Sequence, residues 1–161
     1  MQCSTCSTAP SNKPLEIRPI SDDEVAETVA LWERCGLTRP WNDPLADIAL
    51  ARHGPGSDVL VGHEDGRIVA SAMVGTDGHR AWVYYLAVDP DRRRQGLGRR
   101  MMSACEAWAQ GRGVPKIMLL VRGSNTETIG FYRALGYLLE DTVLLGKRFD
   151  GKSWTVAPHQ D

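Results

Sequence analysis

The chain has 161 residues, is 42% hydrophobic and 24% charged, and carries a formal net charge of −1, the ordinary balance of a globular protein with one proper core. A charge so near zero argues against nucleic acid or a membrane surface as a partner. No window is long and apolar enough for a membrane span and the N-terminus lacks the apolar run of a signal peptide, so the cytoplasm is the expected compartment.

Residues 1–14, MQCSTCSTAPSNKP, read as a disordered polar leader. Cys3 and Cys6 form a C-x-x-C, but no second ligand pair follows at zinc-finger spacing. One domain is expected over residues 15–149, followed by a polar tail at 150–161. Its first strand is residues 15–20. Ser21-Asp22-Asp23-Glu24 is a capping box, and the helix after it places Val25, Val29, Trp32 and Cys35 on one face before stopping at Gly36. The loop Leu37-Thr38-Arg39-Pro40-Trp41-Asn42-Asp43-Pro44 ends in an N-cap and first-turn pair that opens a short helix to about His53.

Strands at 58–63 and 67–75 meet at Asp65-Gly66, a hairpin turn. A second turn at Thr76-Asp77-Gly78-His79 sends the chain into a strand at 80–89. Three antiparallel strands in sequence are not how a doubly wound nucleotide fold begins. A helix over 97–112 shows Leu97, Met101, Ala104, Cys105, Trp108 and Ala109 at helical spacing, and the nearly continuous apolar run at 116–122 reads as a buried strand parallel to 80–89. A helix from about Asn125 to Ala134 closes at Gly136, and short strands at 137–140 and 143–149 end the domain. Cys35 and Cys105 read as small core residues.

The stretch YYLAVDPDRRRQGLGRRMM, residues 84–102, carries the chemistry. A helix N-terminus bears partial positive charge and favours Asp or Glu. Here Arg92, Arg93 and Arg94 precede the helix and Arg99 and Arg100 lie in its first turn. An anionic ligand at the helix start resolves that conflict, and Gly96 and Gly98 let bare backbone amides close around it. A Walker loop is excluded by the missing Gly-Lys-Ser/Thr ending. A dinucleotide fingerprint is disfavoured because Met101 replaces the third glycine and residues 89–95 replace the tight turn. A nucleic-acid patch lacks a second basic cluster and a stacking ladder. A merely solvated charge run leaves the paired glycines unexplained.

Arg93-x-x-Gly96-x-Gly98 after a strand, with Asn125 and Tyr132 further on, resembles the acetyl-CoA signature of the GCN5-related N-acetyltransferases over roughly residues 15–149. The resemblance implies an α/β (α+β) fold: a mixed antiparallel and parallel twisted sheet with helices on both faces, whose splayed central strands leave a cleft for the cofactor. It implies acetyl-CoA as that cofactor, with the amides of Arg93, Arg94, Gln95, Gly96, Leu97, Gly98 and Arg99 around its pyrophosphate. It also implies that backbone groups of Leu86, Ala87 and Val88 hold the pantetheine arm like an added strand, one N–H there polarising the carbonyl.

The family's general acid falls on Tyr132, and Asn125 matches a cofactor contact; Thr128 departs mildly from the family's usual alanine. A phenol with a pKa near 10 keeps its proton at neutral pH and can pass it to a thiolate. No carboxylate lies in residues 80–85, where many relatives carry the base. Tyr84 or Tyr85 with a water, His79, Asp43 and Glu33 remain as alternatives. Arg39, Trp41, Asn42 and Asp43, together with Tyr84, form the expected acceptor site, with Arg39 for a carboxylate and Asp43 for an ammonium; the opposing reading is that Trp41 packs and Asp43 only caps a helix. The expected activity is acetyl transfer to a primary amine of a small molecule, amino acid or peptide, by a monomer or a homodimer. The alternative is a non-catalytic acyl-CoA sensor on the same fold.

Overall fold

The computed structural model describes residues 14–152. The chain order is β1 (Glu16–Pro19), α1 (Val25–Arg34), α2 (Pro44–Ala51), β2 (Ser57–Glu64), β3 (Arg67–Thr76), β4 (Ala81–Val88), α3 (Leu97–Gln110), β5 (Ile117–Leu119) and α4 (Thr126–Ala134). The five strands form one sheet in sequence order. Pairings β1–β2, β2–β3 and β3–β4 are antiparallel, whereas β4–β5 is parallel across the α3 crossover.

Local chemistry sets most of these elements. Asp65 and Gly66 both take positive φ, 52° and 73°, as a two-residue hairpin turn requires. Asp43 caps α2 through Oδ1, which accepts from the Leu45 and Ala46 amides at 3.0 and 3.2 Å, with Pro44 in the first turn. Asn125 caps α4 by accepting from the Thr128 amide at 3.2 Å.

Apolar side chains alternate across the sheet and supply two cores. On one face α3 packs Leu97, Met101, Met102 and Cys105 against Leu60, Ala70, Ala72 and Val83, with Tyr132 of α4 at the margin. On the other, Leu31 and Trp32 of α1 and Ile48 and Ala51 of α2 cover Val59, Val61, Ile68 and Ala87. Trp32 is fully enclosed, yet its indole N–H donates to Ser71 Oγ at 2.9 Å, so neither buried polar atom is orphaned.

Two expectations need correction. The strand expected at 116–122 pairs only over Ile117–Leu119 and is half-buried, because β4 and β5 part company after the pair Val83–Leu119. The strands expected at 137–140 and 143–149 are absent: that run lies outside the sheet, with Leu145 89% and Phe149 92% exposed. Strand propensity is realised only on a pleated edge long enough to pair with, and the ladder that β5 makes spans three residues. Residues 1–13, with Cys3 and Cys6, and residues 153–161 of the expected tail lie outside the described residues. None of the described helices is long and apolar enough to cross a membrane.

Candidate active site

The site begins where β4 stops behaving as a regular strand. Ser71 pairs with Ala87 and Met73 with Tyr84, so Tyr85 and Leu86 together oppose the single residue Ala72. Tyr85 takes φ 50° in this bulge, a conformation that costs a non-glycine residue about 1–2 kcal/mol. Its ring stacks on Trp32 with centroids 4.1 Å apart and planes within 8°, a contact worth roughly 0.5–1.5 kcal/mol beyond burial. Stacking therefore offsets much of the strain.

Beyond Val83, the β4 edge that faced β5 has no strand beside it among the described residues. The cleft between the parting strands is a cavity of about 710 Å³, lined by Val83, Tyr84, Tyr85 and Leu86 on one side and Leu119, Leu120, Val121 and Arg122 on the other. Asn125, Thr128 and Tyr132 of the α4 region and Arg39, Asn42 and Asp47 of the α1–α2 region also line it.

At the far end of β4 the chain turns through a 3₁₀ turn, Pro90–Arg92, into α3. Arg94 (φ 62°) and Gly96 (φ 78°) are both left-handed. Gly96 is the N-cap, no side chain among the described residues caps this end, and no acidic residue lies in its first turn. The first amides of α3 therefore point outward without a side-chain acceptor, the geometry that binds anions. The arginines divide. Arg92 pairs with the buried carboxylate of Glu64 and donates through Nε to Gln95 Oε1 at 3.2 Å, and Arg100 donates to the Leu15 carbonyl at 3.0 Å. Among the described residues, Arg93, Arg94 and Arg99 make no hydrogen bond or ion pair, so their charge is available at the helix start. A bare helix N-terminus flanked by these arginines and a strand edge without a neighbour fit the pyrophosphate and the extended amide arm of coenzyme A.

Tyr132 is 8% exposed, packed edge-to-face between Phe131 and Tyr137. Burial, helped by Cys105 close by, pushes its phenol up to about 12, so it is protonated throughout the neutral range. Its hydroxyl makes no hydrogen bond among the described residues. Leu86 lines the cavity; Ala87 is buried, and the Val88 carbonyl accepts from Cys35 Sγ at 3.2 Å.

In the acceptor region Arg39, Asn42 and Tyr84 reach the cavity, whereas Trp41 and Asp43 are not among its lining residues. The Trp41 carbonyl accepts from Arg148 at 2.9 Å and the Asp43 carboxylate caps α2. Of the residues considered as a base, Tyr84 and Tyr85 line the cavity; His79 sits in the 76–80 turn, its amide bound to Asp77 Oδ1, and Glu33 is exposed on α1. Burial raises the Tyr84 phenol, and burial followed by the Asp47 carboxylate raises that of Tyr85 to about 12. Sequence reasoning passed over Asp47. The available signal was its position four residues after the Asp43 cap, one turn along the same helix face.

The model of the acetyltransferase (GNAT) family matches residues 20–137. An acetyltransferase of Yersinia pestis (strain Pestoides F) is 43% identical over 134 residues, covering 83% of this chain and 95% of that protein. Among solved structures, AAC(6')-Iy in complex with the bisubstrate analogue CoA-S-monomethyl-acetylneamine superposes with a TM-score of 0.73 at 18% identity, over 84% of this chain and 99% of that one. An aminoglycoside acetyltransferase from an uncultured soil metagenomic sample, in complex with sisomicin, gives 0.70 at 17% identity over 83% and 95%.

Proposed function

The chain belongs to the GNAT family of acetyltransferases, and from that premise we propose that it moves an acetyl group from acetyl-CoA to a primary amine by direct attack in a ternary complex. The observation that carries this reading is the continuity of one path. The bare N-terminus of α3 adjoins the end of β4, the unpaired β4 edge runs from it into the cleft, and Tyr132 stands in that cleft.

In this reading the amides from Arg93 to Arg99 hold the pyrophosphate, and the backbone of Leu86, Ala87 and Val88 with Asn125 holds the pantetheine arm. The cofactor supplies an activated acetyl thioester. The Leu86 amide polarises its carbonyl as a fixed donor in the cleft, which needs no reorganisation as charge develops. Tyr132 keeps a proton at Oη for the departing sulfur, its high pKa holding that proton through the neutral range. The acceptor attacks as its free amine and loses a proton to water, and Tyr132 regains one from solvent.

The acceptor is an amine of a small molecule, amino acid or peptide, oriented by Arg39, Asn42 and Tyr84, which line the cavity. Two neighbours in fold, one in complex with an acetylneamine bisubstrate analogue and one an aminoglycoside acetyltransferase in complex with sisomicin, support a small-molecule amine. The exposed apolar run of residues 138–149 supports a homodimer, and the cytoplasm is the proposed compartment. Thiol release from acetyl-CoA, measured against a panel of amines, amino acids and peptides, tests the proposal. Turnover with an amine is expected. Tight CoA binding with no turnover on any acceptor would overturn it in favour of a non-catalytic sensor.

A further inference from the structure

Asp43 spends Oδ1 on capping α2 and is not among the residues that line the cavity, so it is not placed to hold a cation there. One turn along α2 the situation differs. Asp47 lines the cavity, and its Oδ2 accepts the Tyr85 hydroxyl at 2.6 Å. Its other oxygen accepts no hydrogen bond, and no Lys, Arg or His forms an ion pair with it among the described residues. A carboxylate offers about four acceptor positions, and a partly buried one that holds a single hydroxyl is under-partnered.

This carboxylate is also held rigidly. Ser71 anchors the Trp32 indole, Trp32 stacks on the Tyr85 ring, and Tyr85 fixes Asp47 by its hydroxyl. The relay joins β3, α1, β4 and α2 at one point. Tyr85 precedes Leu86, so the residue that anchors the charge adjoins the one whose amide is proposed to polarise the acetyl carbonyl. A preorganised anion that faces a cavity and has no ion-pair partner among the described residues is built to receive a cation.

We infer that Asp47, clamped by Tyr85, binds an ammonium group of the acceptor, and that the enzyme selects cationic amines through this contact. The inference rests on the acetyltransferase reading above. The two are separated by comparing wild-type protein with Asp47→Asn, which keeps an oxygen for the Tyr85 hydroxyl, and with Asp47→Glu. The panel contains alkyl amines, cationic at assay pH, and arylamines, neutral there; CoA affinity and melting temperature are followed in parallel.

Asp47→Asn is expected to raise KM for cationic acceptors at least tenfold, with CoA affinity within about threefold and the melting temperature little changed. Asp47→Glu is expected to recover part of the loss, and the wild-type KM for cationic acceptors, unlike that of the Asn variant, to rise with ionic strength. A wild-type KM in Asp47→Asn for every cationic acceptor overturns the inference alone, as does an equal loss on cationic and neutral acceptors. No turnover by wild-type protein on any amine overturns the acetyltransferase reading and this inference together.

Discussion

Gly98 on α3 lies directly against the ring of Phe131 on α4: a Cβ added to it would stand 3.1 Å from Phe131 Cζ and 3.7 Å from Val88 Cγ2. The two glycines of the loop thus serve different ends. Gly96 supplies a left-handed N-cap with open space around it, whereas Gly98 allows α4, which carries Tyr132, to approach the start of α3.

Gly98→Val is therefore expected to act through packing as well as through the ligand. Overfilling this contact should cost about 1–3 kcal/mol of stability, and CoA affinity should fall at least tenfold, or about 1.4 kcal/mol. Adding Phe131→Leu should recover part of both losses, as read by thermal melts and CoA titration. Loss of affinity with an unchanged melting temperature and no recovery would leave the Phe131 contact irrelevant.

Arg92 should matter to the fold more than to the phosphates. Its partner Glu64 has a side chain only 4% exposed, against 28% for Arg92. Arg92→Ala strands that carboxylate, and the cost should be on the order of 2 kcal/mol, below the roughly 3–5 kcal/mol of a fully enclosed pair because the arginine is partly open to solvent. Combining it with Glu64→Gln should restore part of the stability. Replacing Arg93, Arg94 and Arg99 together by alanine should instead weaken CoA binding and flatten its salt dependence while sparing the melting temperature. The reverse pattern would show that Arg92 is a phosphate ligand.

Tyr132→Phe removes the hydroxyl and keeps the ring that packs between Phe131 and Tyr137. A positioned acid contributes about 10²–10⁴-fold, so kcat should drop within that range while KM for acetyl-CoA barely moves. With the phenol at about 12, the wild-type rate should show no alkaline loss from this group below roughly pH 10. More than half of wild-type kcat in the mutant, with chemistry limiting, would reduce Tyr132 to a wall of the pocket.

Acid stability should depend on Glu24. Its carboxylate receives both terminal nitrogens of Arg18, at 2.7 and 2.9 Å, and the Ser21 amide at 2.9 Å, and it meets His63 Nε2 at 2.6 Å. The Arg18 contact leads in holding this carboxyl well below the usual range, against the opposing effect of burial. A depressed folded pKa gives stability that is present above the unfolded value, about 4.3, and is lost as pH falls below it. Urea unfolding should show wild-type stability declining below about pH 4.5. Glu24→Gln should start lower at neutral pH and decline less steeply. Parallel curves would exclude Glu24 as a source of the acid limb.

How far the residues alone reach can be judged at α2 and β4. Asp43-Pro44 announced a helix start, and the structure uses it so; the same string could not say whether Asp43 was a cap or a ligand, because a capping carboxylate and a binding carboxylate are the same residue in the same place. The Tyr85 bulge left no mark in the sequence: residues 83–88 read as an ordinary apolar strand, and the extra residue becomes visible only against β3. The final strands failed for a related reason. Leu138, Leu139, Val143 and Leu144 have strand-forming composition, but composition does not provide an edge to pair with.

What the sequence by itself determined is what a few neighbouring residues can decide: the cap at Asp43, the Asp65-Gly66 hairpin, the helical stripe of α3, and the glycine loop that signals an anion at the start of that helix. These rest on hydrogen bonds and side-chain spacings within about one turn. Only the tertiary structure decided where β4 leaves β5, which arginines stay unpaired around the loop, and which carboxylate enters the cleft. Each of these depends on groups far apart in the chain: Arg92 meets Glu64 across 28 positions and Tyr85 meets Asp47 across 38. A charge is free or spoken for only once the fold has brought its partner to it, and no local pattern records that meeting.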